Sequence, residues 1–129
     1  RILVVDDHEM GRRALSLLLG PLGAAVTLAE GARAALQLLA AERFDLVLMD
    51  VTMAEMDGLE ACRALRAAPG PNQRTPVLAV TGRTEVKDVE ACLAAGMNGC
   101  LAKPIDARSL YDAIERTLTG QPDAVSAAA

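Results

Sequence analysis

Aromatic side chains are almost absent from this chain of 129 residues, which has no tryptophan, one tyrosine and one phenylalanine. A core without rings must be filled by leucine, valine, alanine and methionine, and a bound flavin would find almost nothing to stack on. Histidine occurs once and cysteine three times. Cys62, Cys92 and Cys100 fit neither a CxxC redox motif nor a zinc-ligand spacing, so they read as small buried hydrophobes of a reducing compartment. Basic residues are outnumbered, 13 Lys and Arg against 17 Asp and Glu, for a net charge of −4. That balance lacks the clustered cations that direct nucleic-acid binding needs, and it disfavours an anionic membrane surface. Long hydrophobic runs are missing too. The longest mostly apolar stretch, Leu15 to Ala29, is broken by Gly20, Pro21 and Gly23 and falls short of the ~18 residues of a spanning helix. No segment has the pattern of a signal peptide. The chain opens on Arg1 and enters a strand at once, as expected of a domain within a longer protein.

What is present is an alternation of short apolar runs with helical patterns, on a length that suits one domain with one sizeable core. Ile2 to Val5, Ala25 to Leu28, Leu46 to Met49, Val77 to Val80 and Gly99 to Ala102 are the predicted strands. Between the first two, Met10, Ala14, Leu17 and Leu18 recur at helical spacing until Gly20-Pro21. Ala32 to Ala41 is a second helix. Leu59, Cys62, Leu65 and Arg66 form a third after the turn residues Asp57-Gly58. The stretch Ala68 to Pro76, with three prolines, is a loop. Val86, Val89 and Leu93 give a fourth helix, closed by Gly96, with Thr84 as its cap candidate. Asp106 is a predicted N-cap for a fifth, which buries Leu110, Ala113, Ile114 and Leu118. Residues 1–119 form the expected domain. Residues 120–129 read as a linker or disordered tail.

Strands that are apolar throughout imply a sheet covered on both faces. Right-handed crossovers leave few topologies. The expected fold is α/β, a doubly wound five-stranded parallel sheet of order 2-1-3-4-5 and flavodoxin-like. Ligands of such sheets bind beyond the C-terminal strand ends, between strands one and three.

Both of those strands stop on aspartate. Ile2 to Val5 runs into Asp6 and Asp7, and Leu46 to Met49 runs into Asp50. Thr81 and Lys103 end the last two strands in the same way. Three neighbouring carboxylates repel one another, so without a cation one of them takes up a proton or the fold loses stability. An oxygen donor set suits a hard ion such as Mg²⁺, with Mn²⁺ as a substitute. A carboxylate in such a site can also act as a nucleophile toward phosphorus. Lys103 has the reach and Thr81 the hydroxyl to contact a phosphoryl group. Asp6 and Glu9 have capping-box spacing, the alternative use for Asp6.

These residues resemble a known pattern. LVVDD at Leu3 to Asp7, LVLMD at Leu46 to Asp50, MDG at Met56 to Gly58, TG at Thr81-Gly82 and KP at Lys103-Pro104 occur in the order seen in response-regulator receiver domains of two-component signalling. The likeness covers Ile2 to about Leu118, and it implies the same strand order, so the two expectations are not independent. It further implies that Asp50 accepts a phosphoryl group from the phosphohistidine of a histidine kinase or histidine phosphotransfer domain. Asp7, Asp50 and the backbone carbonyl of Thr52 would hold Mg²⁺, with Asp6 assisting through water. Thr81 and Lys103 would contact the phosphoryl group, and the Lys103-Pro104 bond would be cis. The run DVTMAEMDGLEACRALR resembles receivers of hybrid sensor kinases, which implies a cytoplasmic module whose parent protein is compatible with a membrane anchor elsewhere. The domain would then catalyse only its own phosphorylation and dephosphorylation, with kinase activity belonging to the parent.

Two departures matter. Cys100 stands three residues before Lys103, where the family usually carries Tyr or Phe, so coupling through a moving ring is not available. Ala54 replaces the proline of the family's MPxMDG. By the same resemblance, Thr52 and Arg83 occupy positions that tune dephosphorylation in the family. The competing readings are a receiver-like interaction module that is never phosphorylated and an enzyme. A haloacid-dehalogenase-type phosphatase would need an aspartate at position 52, where Thr52 stands. His8, the lone histidine, is expected to be a rim residue of the acidic pocket.

Overall fold

The computed structural model of the chain describes residues 1–53, 56–82 and 85–119. The readings of Ala54, Arg83 and Thr84, and of the tail, fall outside those residues. Five strands form one parallel sheet: β1 (Ile2–Val5), β2 (Val26–Ala29), β3 (Leu46–Asp50), β4 (Val77–Thr81) and β5 (Gly99–Ala102), in the order β2-β1-β3-β4-β5. Five helices connect and follow them: α1 (Glu9–Leu19), α2 (Ala32–Ala41), α3 (Gly58–Ala67), α4 (Val86–Ala94) and α5 (Ala107–Leu118). The expected order is the observed one. The second strand lies one residue later than expected.

Side chains alternate across a strand, and here both faces are covered. Leu3, Val5, Val47, Met49, Val77, Ala79 and Cys100 face a core shared with α2, α3 and α4. Ile2, Val4, Leu46, Leu48, Leu78, Val80 and Leu101 face a second core closed by α1 and α5. All three cysteines are free and buried. Burial pushes the thiols of Cys62 and Cys92 up, away from the reactive thiolate.

The helices differ from expectation in which residues they bury. On α1 the inward positions are Leu15 and Leu19, while Met10 and Leu17 are 84% and 77% exposed. On α4, Val89 and Cys92 are buried and Val86 and Leu93 are exposed. On α5, Leu110, Ala113 and Ile114 are buried as expected, but Leu118 is exposed. The reason is common to all three. These helices carry apolar residues on more than one face, so helical spacing alone does not single out the face that meets the sheet. The Asp106 cap is the expected one, its side chain accepting from Ser109 N at 2.8 Å; Asp57, read from sequence as a turn residue, also caps α3 by accepting from Glu60 N at 2.8 Å.

The end of the sheet opposite the acids is fixed by two polar side chains. Asn72 is fully buried. Its Nδ2 donates to the carbonyls of Leu39 and Glu42, and its Oδ1 accepts from Phe44 N at 2.7 Å and Thr75 Oγ1 at 2.9 Å. It thus joins the end of α2 and the segment leading into β3 to the loop before β4. Arg66 on α3 donates to the carbonyls of Gly96, Gln73 and Thr75. Gly96 sits at φ +96°, and a Cβ there would come within 2.8 Å of Arg66 Cγ. Replacing Asn72 by alanine leaves buried backbone groups unpaired. Asn72→Ala should therefore lower unfolding free energy by about 2 kcal/mol or more, read by urea denaturation.

Candidate functional site

The parallel register sets Val5 of β1 against Met49 of β3, so the next residues, Asp6 and Asp50, leave the sheet side by side. Both are buried, at 3% and 2% exposure. Asp7 is half-buried. Two glycines make room for the acids. A Cβ on Gly11 would fall on the Asp6 carboxylate, and a Cβ on Gly58 would fall on the Asp50 carbonyl. Gly58 N also donates to Val51 O at 2.8 Å, which folds the β3–α3 connection back over the strand end. Asp57-Gly58 is therefore structural, as read from the sequence, with the added requirement that residue 58 have no side chain.

Asp6 does not cap α1 in the manner its spacing with Glu9 suggests. His8 occupies the N-cap position without a side-chain capping bond. Asp6 instead accepts from His8 N at 2.9 Å through Oδ1, while Arg12 Nη1 donates to the Asp6 carbonyl at 2.8 Å. These bonds hold the chain turn that carries Asp6, Asp7 and His8.

The two oxygens of Asp50 are inequivalent. Oδ1 accepts from Lys103 Nζ at 3.2 Å and from Thr52 N at 3.2 Å. Oδ2 is buried with no hydrogen-bond partner among the described residues. Burial raises the Asp50 carboxyl above the usual carboxylate range; Lys103 opposes the rise and the charge of Asp6 adds to it. Thr81 ends β4, buried, in the register that pairs it with Ala102. Lys103 N donates to Thr81 O at 2.8 Å, so the two strand ends that carry Thr81 and Lys103 are tied together. The Lys103–Pro104 bond is cis, as the sequence resemblance implies.

Ligand atoms of Asp6, Asp7, His8 and Asp50 all lie within 4.8 Å of one another. An unpartnered, buried carboxylate oxygen among neighbouring acids is what a divalent cation would satisfy, and the donor set fits one. The acids fulfil the expected convergence. One expectation needs correction: the donor set is not free of histidine, because His8 Nδ1 lies 2.9 Å from Asp7 Oδ1 and 3.4 Å from Asp6 Oδ1. His8 does lie on the pocket rim, as expected. Gly11 and Arg12 escaped the sequence reading. Their roles depend on α1 folding back onto the end of β1, and no short motif marks that contact.

Residues 2–115 match the family model of the response regulator receiver domain. The chain belongs to that family. The receiver is 38% identical over 118 residues to the sensor histidine kinase RcsC of Escherichia coli (strain K12), which covers 92% of this chain and 12% of that protein. It is 43% identical over 104 residues to the response regulator MprA of Mycolicibacterium vanbaalenii, covering 81% of this chain and 44% of that protein. The chain thus spans less than half of either relative. Among solved structures, the chemotaxis protein CheY4 of Vibrio cholerae aligns with a TM-score of 0.85 at 32% identity, covering 91% of this chain and 97% of that one. The receiver domain of the sensor histidine kinase PA1611 of Pseudomonas aeruginosa PAO1 aligns at 0.83 and 34% identity, covering 92% and 96%, and it carries a magnesium ion in its active-site cleft. No helix among the described residues of this receiver is long and apolar enough to cross a membrane.

The raised carboxyl of Asp50 has a consequence for stability in metal-free protein. The folded state holds that proton more tightly than the unfolded chain does. The stability associated with Asp50 is then fully present below the unfolded carboxylate pKa and is lost as pH rises through the folded value. Asp50→Asn removes this loss. In the presence of a chelator, the stability of the variant relative to wild type should grow from pH 4 toward neutrality, measured by urea unfolding across that range; a pH-independent difference would contradict the assignment.

Proposed function

We propose that residues 1–119 form the phosphoacceptor unit of a phosphorelay, in which Asp50 takes a phosphoryl group from a phosphohistidine in a Mg²⁺-dependent reaction. The observation that carries this reading is Asp50 itself. It is a buried carboxylate at a strand end, held by Lys103 and Thr52 through one oxygen and with no partner among the described residues at the other.

The chemistry follows from that geometry. Lys103 and the Thr52 N–H orient the carboxylate, one oxygen of which would attack phosphorus while the other would face the cation. The new bond is Asp50 O–P and the bond lost is histidine N–P. The departing nitrogen keeps the bonding electron pair, and with the other ring nitrogen protonated it leaves as neutral imidazole. Lys103 and the Thr81 hydroxyl, from adjoining strand ends, would stabilise charge on the phosphoryl oxygens. Asp6, Asp7, Asp50 and the Thr52 carbonyl would hold the cation. When bound, Mg²⁺ offsets the negative charge shared by these acids and the phosphoryl oxygens.

The donor needs a surface beside Asp50. Met10 and Leu17 stand one above the other on the outward face of α1, both largely exposed. Between α1 and the β5–α5 connection lies a cavity of about 360 Å³ lined by Asp6, Ala14, Leu18, Lys103, Pro104 and Ile105. An apolar helix face next to the acid pocket suits a helical partner that presents a histidine, as a histidine kinase or histidine phosphotransfer domain does. Likeness to sensor kinases over nearly the whole chain favours a hybrid-kinase receiver acting in the cytoplasm. Cys100, buried in the same α4-side core as Val89 and Cys92, favours passing phosphate onward over a ring-coupled switch.

Two phosphodonors separate the chemistry from the docking. Wild type should be labelled on Asp50 by a small phosphodonor and by a phosphorylated histidine phosphotransfer domain, each with Mg²⁺, and Asp50→Asn by neither. Met10→Lys with Leu17→Lys should keep the small-donor reaction and slow transfer from the protein donor about tenfold or more, since lost central apolar anchors commonly cost over 1 kcal/mol each. Absence of Mg²⁺-dependent labelling of wild type would overturn the reading.

A further inference from the structure

Tyr111, the single tyrosine of the chain, is half-buried on α5, and the phosphotransfer chemistry gives it no role. Its hydroxyl donates to the Leu18 carbonyl at 2.7 Å, across 93 residues of sequence. Leu18 lies in the last turn of α1, where carbonyls have no partner within their own helix. The short 3-10 turn that follows contains Pro21, which brings no N–H to this helix end. Tyr111 thus supplies a donor to the end of α1 from α5. Leu15 and Leu19 of α1 share a core with Leu110, Ala113 and Ile114 of α5, but apolar burial is non-directional. The hydroxyl bond fixes one height and one separation between the two helices.

That separation bears on the cavity of about 360 Å³ beside Asp50. Ala14, Leu15 and Leu18 form its α1 wall, and Lys103, Pro104 and Ile105 form the wall that leads into α5. The second wall is held by the Asp106 cap on Ser109 N, at 2.8 Å. Tyr111 does not line the cavity, so it acts on it through Leu18. We propose that Tyr111 is a positioning residue for phosphodonor recognition: through Leu18 it holds the last turn of α1 at the spacing from α5 that a docking helix of the donor requires. This role rests on the reading of α1 and the cavity as the donor surface, and adds the group that sets its geometry. Without the hydroxyl the end of α1 samples other placements, and donor affinity falls with the fraction of molecules in the competent one.

The test compares the 129-residue wild type with Tyr111→Phe, which keeps the ring and its packing. Asp50 labelling is timed with Mg²⁺, from a small phosphodonor and over a concentration series of a phosphorylated histidine phosphotransfer domain. The small-donor rate and the maximal rate from the protein donor should both stay close to wild type. The protein-donor concentration at half-maximal rate should rise about threefold to tenfold, the range that loss of one hydrogen bond of ordinary strength allows. The carbonyl carbon resonance of Leu18 should move upfield in the variant. An unchanged half-maximal concentration, with the Leu18 resonance shifted, would overturn the role of Tyr111 and leave the docking surface standing. A Leu18 resonance that does not move, or an equal fall in rate with both donors, would overturn it too, the first by removing the bond and the second by placing the effect at Asp50. Wild type labelled by the small donor and by no concentration of the protein donor would overturn the donor-surface reading, and this inference with it.

Discussion

Asp6 and Asp50 leave neighbouring parallel strands at the same level, and both are buried. Like charges so placed raise each other's free energy, and burial removes the water that would screen them. Lys103 supplies one positive charge from the end of β5 and satisfies one oxygen of Asp50. The other oxygen has no hydrogen-bond partner among the described residues. A site in that condition favours whatever brings positive charge to it. The surrounding structure is arranged around this tension: α1 gives up a side chain at Gly11 to leave space for the Asp6 carboxylate, and α3 gives one up at Gly58 to approach the carbonyl of Asp50.

The scaffold that tolerates the tension is apolar on both faces and pinned by polar side chains at the far end. Asn72 and Arg66 satisfy backbone groups of α2, of the segment between α2 and β3, and of the turns before β4 and β5, well away from the acids along the strands. Strain and stability are thus separated in space. The C-terminal strand ends hold the unsatisfied chemistry, and the N-terminal ends hold the satisfied network. Local energetic cost at a site, offset elsewhere in the fold, is a common division in proteins that bind charged ligands.

Much of this was legible in the residues. Short apolar runs broken by Gly and Pro gave the five strands, and acids at the ends of two of them pointed to the site, because a buried strand has no structural need of a terminal carboxylate. The inward faces of α1, α4 and α5 were less legible. Met10, Leu17, Val86, Leu93 and Leu118 fit the helical period as well as Leu15, Leu19 and Val89 do, and only the docking of each helix on the sheet decides between them. Gly11 and Arg12 were invisible for a similar reason, since their contacts with Asp6 exist only after α1 folds back on β1. His8 was placed on the rim, but its inward-turned nitrogen depends on a side-chain-to-backbone bond that residue spacing does not announce.

The dependence of the whole site on an added positive charge can be measured directly by thermal unfolding, followed by circular dichroism, as Mg²⁺ is titrated into chelator-treated protein. A cation bound by the folded acids alone stabilises by mass action. The melting temperature of wild type should climb steadily with the logarithm of Mg²⁺ concentration once binding begins, and Asp7→Asn should shift the climb to higher concentration. A melting temperature that stays flat in wild type at every Mg²⁺ concentration, or climbs identically in Asp7→Asn, would contradict the view that these carboxylates are assembled to hold a cation.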